Sequence, residues 1–267
     1  MQITHRISVG STAQVRRELA AMGWLVGTGD ATTGNVVTFE VDESHSNWGA
    51  LSAWIARNGA GDFIVTTFSK SEIGAAAWLE LQPDWHWSYP QPEDGYEAET
   101  YDLSEYCEHC GLGLKQRAPF RMRGEPKWGR RGILQLNWIF DEYFVTPDVW
   151  ASIFRPLGVS SMQVTDAKGR ELKTVVQLGI NERVGIATEG LDSEVCPKCR
   201  RTKYLPVTRG PFPALVGEPS IPVIKTSTYF GSGASAHAAV LVSQGAARAL
   251  AAGNIRGASV RPVEAAT

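Results

Sequence analysis

The chain has 267 residues, enough to bury a sizeable core without metal or disulfides, and its 43% hydrophobic and 20% charged residues are those of a globular protein. A formal net charge of −2 excludes a global field that would draw it to DNA or anionic lipid, though local patches stay open. MQITHRISVG is too polar for a signal peptide's apolar core and no apolar run is long enough to span a bilayer, so the expectation is a cytoplasmic protein with no membrane partner.

In chain order, residues 3–9 (ITHRISV) predict a strand, Ser11-Thr12 a cap, and Val15, Leu19 and Met22 the apolar face of a helix. VVTFEV at 36–41 predicts a second strand. SNWGALSAWIARNG at 46–59 predicts a helix with Trp48, Leu51, Trp54 and Ile55 on one face and Asn58-Gly59 at its end, and DFIVTTFS at 62–69 a third strand. This is a small αβ module over residues 1–80, with its tryptophans in the core.

Residues 81–106 read as a connecting segment in which aromatic and acidic residues interleave on a proline-broken chain. Such a segment is either a solvated linker whose aromatics tuck back onto the domain or a surface for a basic protein partner. Aromatics would supply contact area there and carboxylates selectivity, with Asp84, Trp85, Trp87, Glu97, Glu99 and Asp102 as the candidate contacts.

The third region, 107–267, contains every cysteine of the chain, in CEHCG at 107–111 and CPKCR at 196–200. Two Cys-x-x-Cys turns are the usual way to place four thiolates around one zinc ion, so Cys107, Cys110, Cys196 and Cys199 are the expected ligands of a structural Zn(2+). Gly111 suits the tight turn of a zinc knuckle, and Lys198, Arg200 and Arg201 would offset part of the thiolate charge. A redox pair, an iron–sulfur centre and unrelated thiols are the competing readings, and His109 is expected beside the knuckle rather than as a ligand.

After the first knuckle the charge reverses, with seven basic residues in 115–131 and a second basic cluster around the second knuckle. Arg121, Arg123, Trp128, Arg130, Arg131, Arg200 and Arg201 could contact phosphates and bases, or the basic stretch could pair with the acidic segment before Cys107. Residues 144–164 and 241–263 look like two related strand–helix–strand units capped by Thr146 and Ser243. The apolar stretch Ala234–Ala252, interrupted by His237, Ser243, Gln244 and Arg248, suits a packed helix better than a membrane span.

No enzyme motif assembles. FGSGASAH at 230–237 lacks the lysine and spacing of a P-loop and reads as a loop before a helix. Ser232 or Ser235 with His237 has no nucleophile elbow around it, and Asp141-Glu142 are adjacent residues expected to diverge. The fold class is therefore α+β: a small N-terminal αβ module followed by a pseudo-repeated α+β domain stapled by a zinc-ribbon-like site of four cysteines.

Cys107, Cys110 and Gly111, with Cys196 and Cys199, resemble the double-CxxCG family of bacterial proteins over residues 104–263, with Arg200 where the second motif has glycine. That resemblance implies a toxin-neutralising immunity protein, which would cover the active site of a basic bacterial toxin. The functional expectation is a non-enzymatic, zinc-stabilised binding protein; a nucleic-acid-binding accessory protein and an uncharacterised enzyme are the alternatives.

Overall fold

The structure is a computed structural model in which residues 1–24 and 36–265 are described. Their contacts form two units, Met1–Glu72 with Val207–Gly210, and Ile73–Pro206 with Pro211–Thr267.

In the first unit, alternation of buried Ile3, His5 and Ile7 along β1 (Gln2–Gly10) marks a strand with one face on the core. Helix α1 (Ala13–Ala21) starts where Thr12 Oγ1 accepts the Val15 amide at 3.1 Å. Strands β2 (Val36–Asp42) and β3 (Gly61–Thr67) pair antiparallel on either side of β1. Helix α2 (Trp48–Asn58) lies between them in the chain and ends at Gly59, whose φ of 57° is left-handed. Ile7, Leu19, Val37, Leu51, Trp54 and Ile55 form the core, as the periodicity predicts. His5, buried to 3% exposure, is held by Asp62 at Nδ1 and Glu43 at Nε2, each at 2.9 Å, and Arg209 returns from far along the chain to pair with Glu43 at 2.7 Å.

Helix α3 (Lys70–Ala75) carries the chain into the second unit, so the boundary falls near residue 72 rather than 80. There follow β4 (Trp78–Pro83), α4 (Tyr96–Thr100), β5 (Tyr101–Asp102), β6 (Lys115–Gln116), β7 (Arg121–Met122), β8 (Ile133–Leu134), β9 (Phe144–Val145) and α5 (Pro147–Val149), which continues as a π-helical turn to Phe154. The rest comprises β10 (Ser160–Asp166), β11 (Glu171–Gly179), β12 (Arg183–Ile186), β13 (Ser193–Val195), β14 (Thr202–Tyr204), β15 (Leu215–Val216), β16 (Val223–Phe230), β17 (His237–Ser243), α6 (Gln244–Ala252) and β18 (Ala258–Pro262).

Two larger sheets result, one in the order β7-β10-β11-β9-β8 and one in the order β13-β14-β16-β17-β4-β18, with β12 joined at β16 and β15 joined at β12. Phe144 and Val145 show how the first sheet is covered on both faces. Val145 joins Leu79, Phe154, Leu178, Val242 and Leu250 in one core, while Phe144 joins Phe120, Met122, Leu134 and Val164 in another.

Both expected strand–helix–strand units are present locally, with Thr146 and Ser243 capping their helices through the amides of Val149 and Ala246. In each, the two strands flank an antiparallel third, β11 in one and β4 in the other. The central strands come from different places in the chain, so the pairing does not establish the expected pseudo-repeat. The stretch Ala234–Ala252 is a helix only from Gln244; before it, Ala238–Val242 is a strand buried on both faces, where a continuous apolar run carries no periodicity to separate strand from helix. No helix of the described residues is long and apolar enough to cross a membrane.

The two sheets are tied by an ion pair. Lys225 on β16 reaches Glu142, just before β9, and Asp141 lies 4.0 Å from the same ammonium. Burial disfavours the Lys225 charge, yet the two carboxylates outweigh it and hold its pKa above the usual lysine value. Gln177 donates to Glu142 at 3.0 Å and shares a reciprocal amide pair with Gln116, so the buried carboxylate is well satisfied. Lys225→Met strands Glu142 and should lower unfolding stability by about 3–5 kcal/mol. The double variant with Glu142→Gln should recover much of that loss in chemical denaturation; an equal loss in both would contradict the pairing.

Candidate metal centre and the adjoining cleft

Each Cys-x-x-Cys turn is the tip of a small hairpin. Antiparallel β5 and β6 lead into and out of the first, and antiparallel β13 and β14 frame the second. In the first turn the Gly111 amide donates to Cys107 O at 2.8 Å; in the second the Arg200 amide donates to Cys196 O at 3.0 Å. Both turns need a left-handed residue after the second cysteine. Gly111 has φ 80° and Arg200 has φ 61°, so arginine occupies a conformation that glycine adopts without cost.

The turns bring four Sγ atoms within 4.8 Å of one another, a group that can hold a metal ion. Cys107–Cys196 and Cys110–Cys199 are 3.8 and 3.6 Å apart, and no disulfide joins them. These separations match the edge of about 3.8 Å that a tetrahedron of sulfurs takes around one ion at bonds of about 2.3 Å. His109 is exposed beside the turn and is not in the group.

Electrostatics favour the second turn for thiolate. The Arg201 guanidinium donates to Cys199 Sγ at 3.3 Å and brings that thiol down to about 6, whereas burial pushes Cys110 up to about 12. Arg201 also donates to the carbonyls of Glu105 and Leu112, joining its hairpin to the first.

Lys203, 2% exposed, makes a third link. Its ammonium donates to the carbonyls of Cys110 at 3.2 Å, Ser235 at 3.0 Å and Gly233. The loop at 231–236 thus turns carbonyls toward the Lys203 ammonium and clamps it. It precedes strand β17, not a helix. A Cβ on Gly111 would come within 2.4 Å of Ala234 O, so this loop lies directly on the first knuckle.

Beyond the knuckle a cleft of about 940 Å³ is lined by Tyr96, Glu97, Tyr101, Trp138, Asp141 and His237, with Gly111 and Ser235 in its wall. A second cavity of about 660 Å³ shares Tyr101, Gly111 and Asp141 and adds Arg117, Arg183 and Lys225. Asp141 and Glu142 do not diverge. A bend before β9 lets both approach Lys225, a convergence invisible to residue spacing. His237 Nδ1 is buried with no hydrogen-bond partner, so among the described residues it makes no hydrogen bond to Ser232 or Ser235.

The acidic–aromatic candidates divide. Glu97 faces the cleft. Asp84 accepts from Ser259 at 2.7 Å, Asp102 from the Ser104 amide at 2.9 Å, and Glu99 pairs with Arg121 at 2.8 Å. Trp85 and Trp87 pack on the core beneath the first sheet.

The basic candidates are also largely engaged. Arg131 lies 4.8 Å over the Trp85 ring, Trp128 donates to Thr174 O and packs against Trp85, and Lys115 pairs with Glu105 at 2.9 Å. Phe120 is fully buried. Arg123, Arg130 and Arg200 are exposed. The stretch after the first knuckle therefore does pair with the acidic segment before it.

Compared with protein-family models and with curated protein sequences, the chain matches none.

Two substitutions test the local geometry. Arg200→Gly relieves a left-handed arginine and should raise stability by about 1 kcal/mol without loss of metal. Lys203→Met leaves the buried Cys110 carbonyl and the part-buried carbonyls of Gly233 and Ser235 without their lysine donor and should cost about 3 kcal/mol. Thermal denaturation of the metal-loaded protein reads both; an Arg200→Gly variant less stable than the parent would contradict the assigned backbone.

Proposed function

We propose that the chain is a non-enzymatic binding protein whose second unit is stapled by one structural Zn(2+). The carrying observation is the closed set of four cysteine sulfurs at single-ion spacing. All four ligands come from the protein, so the ion would have no open position at which to activate water or substrate. Cys107, Cys110, Cys196 and Cys199 would hold it, and what it supplies is a cross-link between hairpins 89 residues apart. The knuckle forms part of the cleft wall, so the staple also fixes the surface offered to a partner.

The arrangement of cysteines that resembles double-CxxCG proteins supports an immunity role. A rigid surface would cover the active site of a basic bacterial toxin, stoichiometrically and without chemistry. Several basic residues after the first knuckle are satisfied within the unit, which favours a protein partner over nucleic acid.

Native intact mass of the freshly purified full chain should show one zinc, with all four thiols protected from alkylation until a chelator is added. A metal-free chain two hydrogens light would overturn the staple. Tagged protein should retain a basic partner in a one-to-one complex at low salt and release it at high salt. Retention of none from cells that make its cognate partner would overturn the binding role.

A further inference from the structure

We infer that the larger cleft beside the knuckle binds an organic cation, supplied as the arginine or lysine side chain of a protein partner. This rests on the binding-protein reading above and names the group recognised. Four carboxylates, Glu93, Asp94, Glu97 and Asp141, line the cleft, and neither lysine nor arginine is among its lining residues. The cations nearby line the neighbouring cavity, and each is held by a partner there. Lys225 is paired with Glu142, Lys115 with Glu105, Arg117 donates to Ala98 O, and Arg183 donates to Thr226 O. The lining of the larger cleft thus carries four carboxylates and no cation of its own, with Lys225 at 4.0 Å from Asp141.

Aromatic rings complete the recognition chemistry. Trp138 is 50% exposed and Phe140 43%, an unusual exposure for such residues, and both line the cleft. Trp138 stacks near Tyr96 at 6.1 Å and tilts against Tyr89 at 4.3 Å, which fixes its ring at the rim. Ring faces beside carboxylates attract a guanidinium or ammonium more than a neutral group, and the aliphatic stem of such a side chain packs on the same rings.

The independent observation is Tyr101. It is 7% exposed and lines both cavities, with Asp141 and Glu142 close enough to add to burial in raising its phenol pKa. Its hydroxyl has no hydrogen-bond partner among the described residues, and in the same cleft His237 Nδ1 is likewise buried without one. A phenol oxygen left over beside Asp141 is an acceptor for the N–H of a bound cation.

The test is a titration of the full chain, followed by indole and amide chemical shifts at low salt, with acetyl-Gly-Arg-Gly-amide, its neutral isostere containing citrulline, and spermidine. The arginine peptide should bind at least about tenfold more tightly than the citrulline peptide, and added salt should weaken it. Asp141→Asn, Glu97→Gln, Tyr101→Phe and Trp138→Ala should each weaken it several-fold. Glu189→Gln, which removes an exposed carboxylate that does not line the cleft, should leave it unchanged.

Asp141→Asn also touches Lys225, so the rim variant Trp138→Ala and the single-atom variant Tyr101→Phe keep the test open if it misfolds. Equal binding of the arginine and citrulline peptides, or affinity unmoved in folded Tyr101→Phe and Trp138→Ala, would overturn the inference. Binding of spermidine without the peptide would overturn assignment of the cation to a protein. Zinc content and melting temperature measured on the same samples report failure of the staple separately.

Discussion

Four sulfur atoms from two hairpins 89 residues apart meet at the spacing of a single ion, and the joining of those hairpins depends on that meeting. Each hairpin is too short to bury its own apolar face. Three strand residues frame either side of Cys196–Arg200, and two frame either side of the Cys107 turn. A cross-link over a loop of about 90 residues removes on the order of 4 to 5 kcal/mol of chain entropy from the unfolded state, more than either hairpin could gain alone. Lys203 and Arg201 add a polar layer that secures the same contact through backbone carbonyls.

That contact reaches the cleft through Gly111. Its missing side chain lets the carbonyl of Ala234 approach the knuckle, and the loop from Gly231 to Ala236 then forms one wall of the cavity. Asp141, which the bend before β9 brings to Lys225, also lines it. The cysteine cluster and the Asp141 carboxylate thus border one surface, and the proposed binding role would draw on both, on preorganised shape and on charge.

Much of the first unit was legible because its signals are local. Thr12 caps α1, Gly59 ends α2, and apolar alternation marks β1. The cysteines were legible for another reason: they are few, and their two-residue spacing has a chemical purpose. Lys203 was not, because a lysine beside a knuckle reads as a surface charge and only the return of residues 233–235 shows it buried. Asp141 and Glu142 were misread because their convergence depends on Lys225, 83 residues beyond Glu142. Strand β17 hid inside an apolar run that continues into α6, and His5 offered no pattern to connect it with Glu43, Asp62 and Arg209. What could not be read in advance is non-local polar pairing.

The central claim is that one zinc ion, ligated by cysteine alone, closes the two hairpins. X-ray absorption at the zinc edge of the native full chain tests it most directly. Four sulfur neighbours at about 2.3 Å and no nitrogen or oxygen neighbour is the result predicted. A mixed shell containing nitrogen or oxygen, or a protein without zinc, would contradict it.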